Sequence, residues 1–266
     1  MNNKSSVFKK YLKENNKLKK LVALFVIVAA FLSINNSTFS QPQLKLHVTG
    51  GYNLPLPDLK GEQTFSTIEK DTYGMKSGFN AGIDVKYFLG KKRNVGITLG
   101  LNYNMFSNNV DTTLAGTTYS QKNKINTFQA ALGVEYNFMP KGKTQPFLGL
   151  ALTGNFFSGS SKVDPALTGY TEQTLKSASR FGLRVGGGLD FKLSKSVGAV
   201  LGFNYNMANL VGKDYDSTIV LGSNEFNLND KEYTVGTTTM KSRNISYINV
   251  YAGVSFYFNE PKKVKK

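Results

Sequence analysis

Three carboxylates recur at matched places along the chain. Asp84, Glu135 and Asp190 each stand two residues after a glycine, in Gly82-Ile-Asp84, Gly133-Val-Glu135 and Gly188-Leu-Asp190. Lys45, Lys86, Arg184 and Lys192 occupy the same alternate positions of these and neighbouring segments. Four cations and three anions on one set of faces can pair off and leave bulk water together, because a lone buried ion costs several kcal/mol. They could instead relay protons or ions. The expectation is a near-neutral ion-pair network, with the carboxylates at similar depth if the segments share a register. His47 is the single histidine, and no serine and carboxylate partner is identifiable near it. Without such partners it does not make a nucleophile and base pair. Asp214, Asp216, Glu225, Asp230 and Glu232 crowd the stretch 209–242. They lack the spacing of a calcium loop, and beside Lys213, Lys231, Lys241 and Arg243 they read as a solvated surface. The absence of cysteine excludes disulfides, thiolate metal sites and a lipidated N-terminal Cys. No catalytic residue, metal ligand or cofactor site is expected.

The segments that carry these charges alternate with period two. Taken at every second residue, Leu44 to Leu54, Phe79 to Leu89, Val95 to Met105, Phe128 to Phe138, Leu148 to Phe156, Phe181 to Leu193, Val197 to Met207 and Ile248 to Phe258 give 48 positions without a charge. Opposite them stand the charges, many Asn and much of the Gly. One strand type recurs, as Ala81-Gly-Ile-Asp-Val-Lys-Tyr87, Leu132-Gly-Val-Glu-Tyr-Asn-Phe138, Gly187-Gly-Leu-Asp-Phe-Lys-Leu193 and Ala252-Gly-Val-Ser-Phe-Tyr-Phe258. Alternation alone also suits a soluble, lipocalin-like barrel with its apolar face inside and an apolar ligand bound there.

Three features turn the apolar face outward. A face of Gly and Asn suits a narrow enclosed lumen better than a solvated exterior. The connections alternate in length: 90–94, 139–145 and 194–196 are short, whereas 55–76, 107–124, 158–178 and 209–242 are long. Aromatics collect at both ends of the apolar face, with Tyr52, Phe79, Tyr103, Phe128, Phe156, Phe181 and Tyr205 toward the long connections. Tyr87, Tyr136, Phe191, Phe256 and Phe258 lie toward the short ones. From Phe79 to Tyr87 a tilted strand spans roughly 20 Å, close to an apolar membrane band. The expected fold is all-β, an eight-stranded antiparallel up-and-down transmembrane barrel over residues 41–258. In the last connection, Thr218–Leu221 and Glu232–Val235 are expected to prolong the seventh and eighth strands as a projecting hairpin.

The ends differ in kind. Residues 1–40 place seven lysines before the apolar run Leu21–Leu32, then small polar residues to Ser40. That run is too short to span a bilayer and fits a cleaved signal peptide. Residues 259–266 form a basic tail expected in the periplasm. The formal charge of +16 falls by six, to +10, once the seven Lys and one Glu of the leader are removed. What remains concentrates in the short turns and the tail, on the rim away from the long connections. Nucleic acid is therefore not an expected partner.

A signal peptide, eight alternating strands, short turns against long loops and a last strand ending Gly253-Val-Ser-Phe-Tyr-Phe258 together resemble the small eight-stranded outer-membrane proteins of the OmpA/OmpX type. The resemblance implies a Gram-negative outer membrane, termini in the periplasm and a monomer. It implies a structural or surface-interaction role, with four long loops meeting an unidentified surface ligand. It also implies that the closing strand is read by the barrel-insertion machinery, with Tyr251, Gly253, Phe256 and Phe258 as the contacting residues. The chain departs from the pattern by continuing past Phe258, and the separate peptidoglycan-binding domain of larger members is not expected. Two rival readings are a narrow pore and an outer-leaflet lipid-modifying enzyme. The enzyme would need a base at the loop-side rim, and His47 lies toward the other end.

Overall fold

Outward β-branched and aromatic residues alternating with inward Gly, Asn and charge form long strands rather than helices. The computed structural model describes residues 43–61, 72–164, 172–216, 224–235 and 237–258. The expected signal peptide, the basic tail and Thr218–Leu221 lie outside the described residues. Seven long strands follow in order: β1 (Leu44–Pro55), β2 (Ser77–Phe88), β3 (Val95–Leu114), β4 (Thr117–Asn137), β5 (Thr144–Asp164), β6 (Gln173–Lys192) and β7 (Val197–Val211). Three short ones lie in the last connection, β8 (Glu225–Phe226), β9 (Tyr233–Val235) and β10 (Thr238–Met240), before the closing β11 (Ser246–Phe258).

β1 to β7 pair as consecutive antiparallel neighbours, and β11 joins β7 to β1, so eight long strands close a ring. Ladder partners followed round it run Leu44, Tyr87, Ile97, Val134, Leu150, Val185, Tyr205, Ile248 and back to β1 at Leu54. The path returns ten residues above its start. A stagger of that size tilts the strands by about 40° and leaves an interior only wide enough for side chains.

All nine of those path residues are apolar or aromatic and lie on the outer face. Leu99, Leu132 and Leu152 are 56%, 59% and 72% exposed in the free chain, values that no soluble core would leave. The two aromatic rims bracket this band, with Tyr52 edge-on to Phe79 at 5.6 Å and Tyr136 edge-on to Phe138 at 5.0 Å. Such a continuous apolar belt is a surface for hydrocarbon.

Three long connections differ from expectation. β3 and β4 run on as a hairpin closed by Ala115 and Gly116, both with positive φ, at 47° and 80°. That pair of left-handed residues makes the tight turn whose twist matches the strands. β5 and β6 likewise reach Asp164 and start at Gln173, so the wall stands tallest over β3–β6. The last connection does not prolong β7. Gly212 takes φ 86°, a region costly for other residues, and the chain beyond it returns to the barrel mouth, where Leu228 joins the apolar cluster and Asp230 meets Arg180. Tyr233–Val235 pairs with Thr238–Met240 instead, and β8 adds in parallel to β6 at Thr174 and Leu175.

Candidate functional site

The lumen is filled in three layers, each supplied by inward positions of different strands. The lowest, at the short-turn end, holds the charges. Lys45 on β1 lies 2.9 Å from Asp190 on β6 and also donates to Gln145. Ser255 and Tyr257 of β11 donate to the other Asp190 oxygen at 2.8 and 2.7 Å. Lys86 pairs with Glu135 across β2 and β4, its ammonium 4.1 Å from the Phe147 ring centroid. Arg184 reaches Asp84 at 2.9 Å. Lys192 sits 5.5 Å from the Tyr257 ring centroid. The three carboxylates do not form one ring; the stagger spreads them, and each takes its own cation. A polar void of about 40 Å³ separates the Lys86–Glu135 and Arg184–Asp84 pairs, with Tyr251 on its wall.

His47 corrects the sequence reading. It does have a carboxylate neighbour, Asp190, 3.6 Å from its Nε2, and it stands opposite Ser255 on the paired strand. The Ser255 hydroxyl, however, donates to Asp190 rather than to His47, whose Nε2 is left without a hydrogen bond. This is not the serine-to-imidazole contact that activates a nucleophile. Ladder register alone brings Ser255 beside His47, which a sequence without known strand pairing cannot show.

Amides make the middle layer. Asn80 and Asn249 donate to Asn53; Asn249 also donates to Asn104 at 3.0 Å. Asn206 donates to Asn249 at 2.6 Å, and Gln129 to Asn206 at 3.3 Å and Asn155 at 3.0 Å. Asn155 closes the chain on the Ala208 carbonyl at 2.9 Å. Carboxamides suit this place because each both donates and accepts, so a run of them pairs internally without a net charge, although the Asn104 amide nitrogen is left without a partner. Sequence reading put Asn on the inward face but not in a network that joins seven of the eight strands.

The top layer is apolar. Phe106, Ile125, Phe157, Leu175, Ala208 and Tyr247 point inward from the wall and meet Leu59, Tyr73, Met75, Leu228 and Ile245 from the connections. Phe106 lies edge-on to Tyr247 at 5.0 Å. The signal for this plug was present in the adjacent apolar doublets Met105-Phe106 and Phe156-Phe157, where alternation gives way at the loop-side end.

Polar contacts fasten the plug. Asp230, fully buried, takes two hydrogen bonds from Arg180 Nε, at 3.1 and 2.9 Å, and one from Nη2 at 2.8 Å. Asn209 and the Asp214 backbone amide add two more at 2.9 Å. Burial pushes this carboxyl upward, but Arg180, the backbone and Asn209 outweigh it and hold the group below the usual carboxylate range. Asp230 is therefore not part of a solvated surface; of its sequence companions, Asp214, Glu225 and Glu232 are exposed. Asp58 accepts the Asn244 amide and side chain at 2.8 and 2.9 Å, tying the first connection to the last.

The remaining residues singled out in β11 divide between the two faces. Phe256 and Phe258 lie outside, opposite Leu46 and Leu44. Tyr251 points inward over Gly202, and Gly253 packs so closely on β1 that a Cβ would collide with the Val48 carbonyl.

A family model described as outer membrane protein beta-barrel domain matches residues 24–228, stopping before β11. Among solved structures, the chain is similar to Neisserial surface protein A, at 15% identity over 83% of this chain and 100% of that one, with a TM-score of 0.46. It is also similar to the outer membrane protein OprG from Pseudomonas aeruginosa, at 14% identity over 83% and 98%, TM-score 0.43. A major outer membrane protein from Thermus thermophilus gives 13% identity over 81% and 99%, TM-score 0.46. No curated protein matches the chain.

Proposed function

The chain belongs to the outer membrane protein beta-barrel domain family, and from that membership we propose that it is a non-enzymatic outer-membrane barrel with a structural and surface-interaction role. In this reading residues 1–40 are a cleaved signal, the mature chain is a monomer, both its ends and the basic tail lie in the periplasm, and the four long connections face outward. The seven charged lumen residues act as a structural plug rather than an ion path. Tyr251, Gly253, Phe256 and Phe258 are offered to the insertion machinery.

The observation that carries the reading is the filling of the lumen. Ion pairs, amides and an apolar plug succeed one another along it, and Lys45 and Asp190 are each only 1% exposed. A pore needs a continuous wet path, and an eight-stranded interior has room for one only if side chains vacate it. Basic turns at Lys91, Lys92, Arg93, Lys141 and Lys195 support the periplasmic placing of that rim, since they suit the anionic headgroup boundary. Planar-bilayer recording of the purified barrel tests the reading. Insertion without stable conductance is expected; steps in the nanosiemens range would overturn it.

A further inference from the structure

At the barrel mouth lies a cavity of about 280 Å³, bounded by the apolar plug below and the folded-back last connection beside it. Its floor and sides include Tyr73, Met75, Leu175 and Leu228. Amide and hydroxyl groups of the tall β4–β5 wall stand above, and no carboxylate is among its described lining residues. Two cations line the cavity, the exposed Lys124 of β4 and Arg243, and Arg243 is held there by ring and carbonyl contacts. Its guanidinium stacks 4.2 Å from the Tyr73 ring centroid and donates through Nη2 to the carbonyls of Leu228 and Asn229 at 3.2 and 2.7 Å. Among the described residues no carboxylate pairs with it, whereas Arg180 nearby is saturated by Asp230. Stacking and carbonyl bonds fix the plane of the guanidinium and occupy Nη2, which leaves the N–H groups of Nη1 and Nε to donate to an anion.

We propose that this cavity binds a small amphipathic carboxylate, its apolar body on Met75, Leu175 and Leu228 and its anionic head on Arg243. The volume lies at the small end of ligand cavities, roughly 300–1,000 Å³, which limits the body to about a phenyl ring or short alkyl chain. The site is built before the ligand arrives. β8 pairs with β6 beside Leu175, and the Asp230–Arg180 contact anchors the segment carrying Leu228, so little ordering is left to oppose binding. The proposal deepens the surface-interaction reading and rests on it for the side from which the ligand comes.

The test uses the mature chain in lipid nanodiscs, where both rims are accessible, with phenylacetate as probe and 2-phenylethanol as its neutral counterpart. Saturable phenylacetate binding by saturation-transfer NMR is expected, with the alcohol weaker by about tenfold or more, as loss of a charge-assisted bond implies. Arg243→Gln should remove that preference and leave the alcohol unchanged. Leu175→Trp, which keeps Arg243 and fills the floor, should abolish both. Equal binding of acid and alcohol, or acid binding that survives both substitutions, would overturn the proposal. Orientation is read separately on intact cells. The chain has no cysteine, so Ser161→Cys gives a single site for a membrane-impermeant maleimide. Labelling that phenylacetate blocks is expected, while labelling only after lysis sinks the outward-facing reading without touching the cavity.

Discussion

Asp230 is a loop carboxylate by sequence and a buried one by structure, and the difference is due to Arg180. The arginine lies one residue before the outward Phe181, at the rim, where its charge is too near the apolar plug to be well hydrated. Asp230 compensates it and brings the last connection down over the mouth. A carboxyl held below its ordinary pKa of 3.8 stabilises this arrangement fully above that value, and the contribution is lost as pH falls through the lower folded value. Pepsin digestion between pH 4 and 2 should therefore begin to nick the last connection as the pH drops, while the barrel stays intact. Asp230→Ala should be nicked at every pH in that range, because it leaves Arg180 unpaired at a cost of about 3 kcal/mol or more. Equal resistance of both proteins throughout would show that the pair does not hold the loop.

Among the strands, the inward glycines explain how so many large polar side chains fit in so narrow a space. Gly202 on β7 faces Tyr251 on β11, and a Cβ there would come within 2.5 Å of the tyrosine oxygen. Gly202→Val should accordingly drive the ring off its rotamer and cost roughly 1–3 kcal/mol, the usual penalty of overpacking. Because the Gly187 carbonyl would also lie 2.8 Å from that Cβ, the valine should cost less in a Tyr251→Ala background than in the parent without becoming free, read as the urea midpoint of the folded, heat-modifiable form; an equal cost in both backgrounds would mean that the ring is not what it meets. The faces of these strands were legible in the sequence because period two survives wherever one side meets an apolar medium. The pairing of Lys45 with Asp190 across the lumen was not, since it depends on a stagger that alternation does not encode. Nor were the heights of β3–β6. Above the apolar band Asn, Ser and Thr occupy both faces, so the signal that marks a strand in the membrane fades while its hydrogen bonds continue.

For the whole molecule, the decisive property is that the apolar rows of eight strands join into a belt with no gap. A soluble barrel of the lipocalin kind would bury those rows and gain from charge on its exterior; here an exterior charge must enter hydrocarbon. Leu99 faces outward between Val85 and Leu132, with the aromatic rims on either side. Leu99→Arg should destabilise the barrel in vesicles by roughly 2–4 kcal/mol, and an arginine at Phe79 or Phe258, near the rims, by about 0–1 kcal/mol. Asn102, three residues along but inward, makes the opposite case. Its side-chain amide is buried without a partner, so Asn102→Ala removes an unsatisfied donor and should stay within about 1 kcal/mol of the parent. Urea unfolding in lipid vesicles gives all four values on one scale. A depth gradient on the outer face beside near-neutrality inside is what a membrane belt requires. A flat profile, with Leu99→Arg no worse than Asn102→Ala, would place water where hydrocarbon has been assigned.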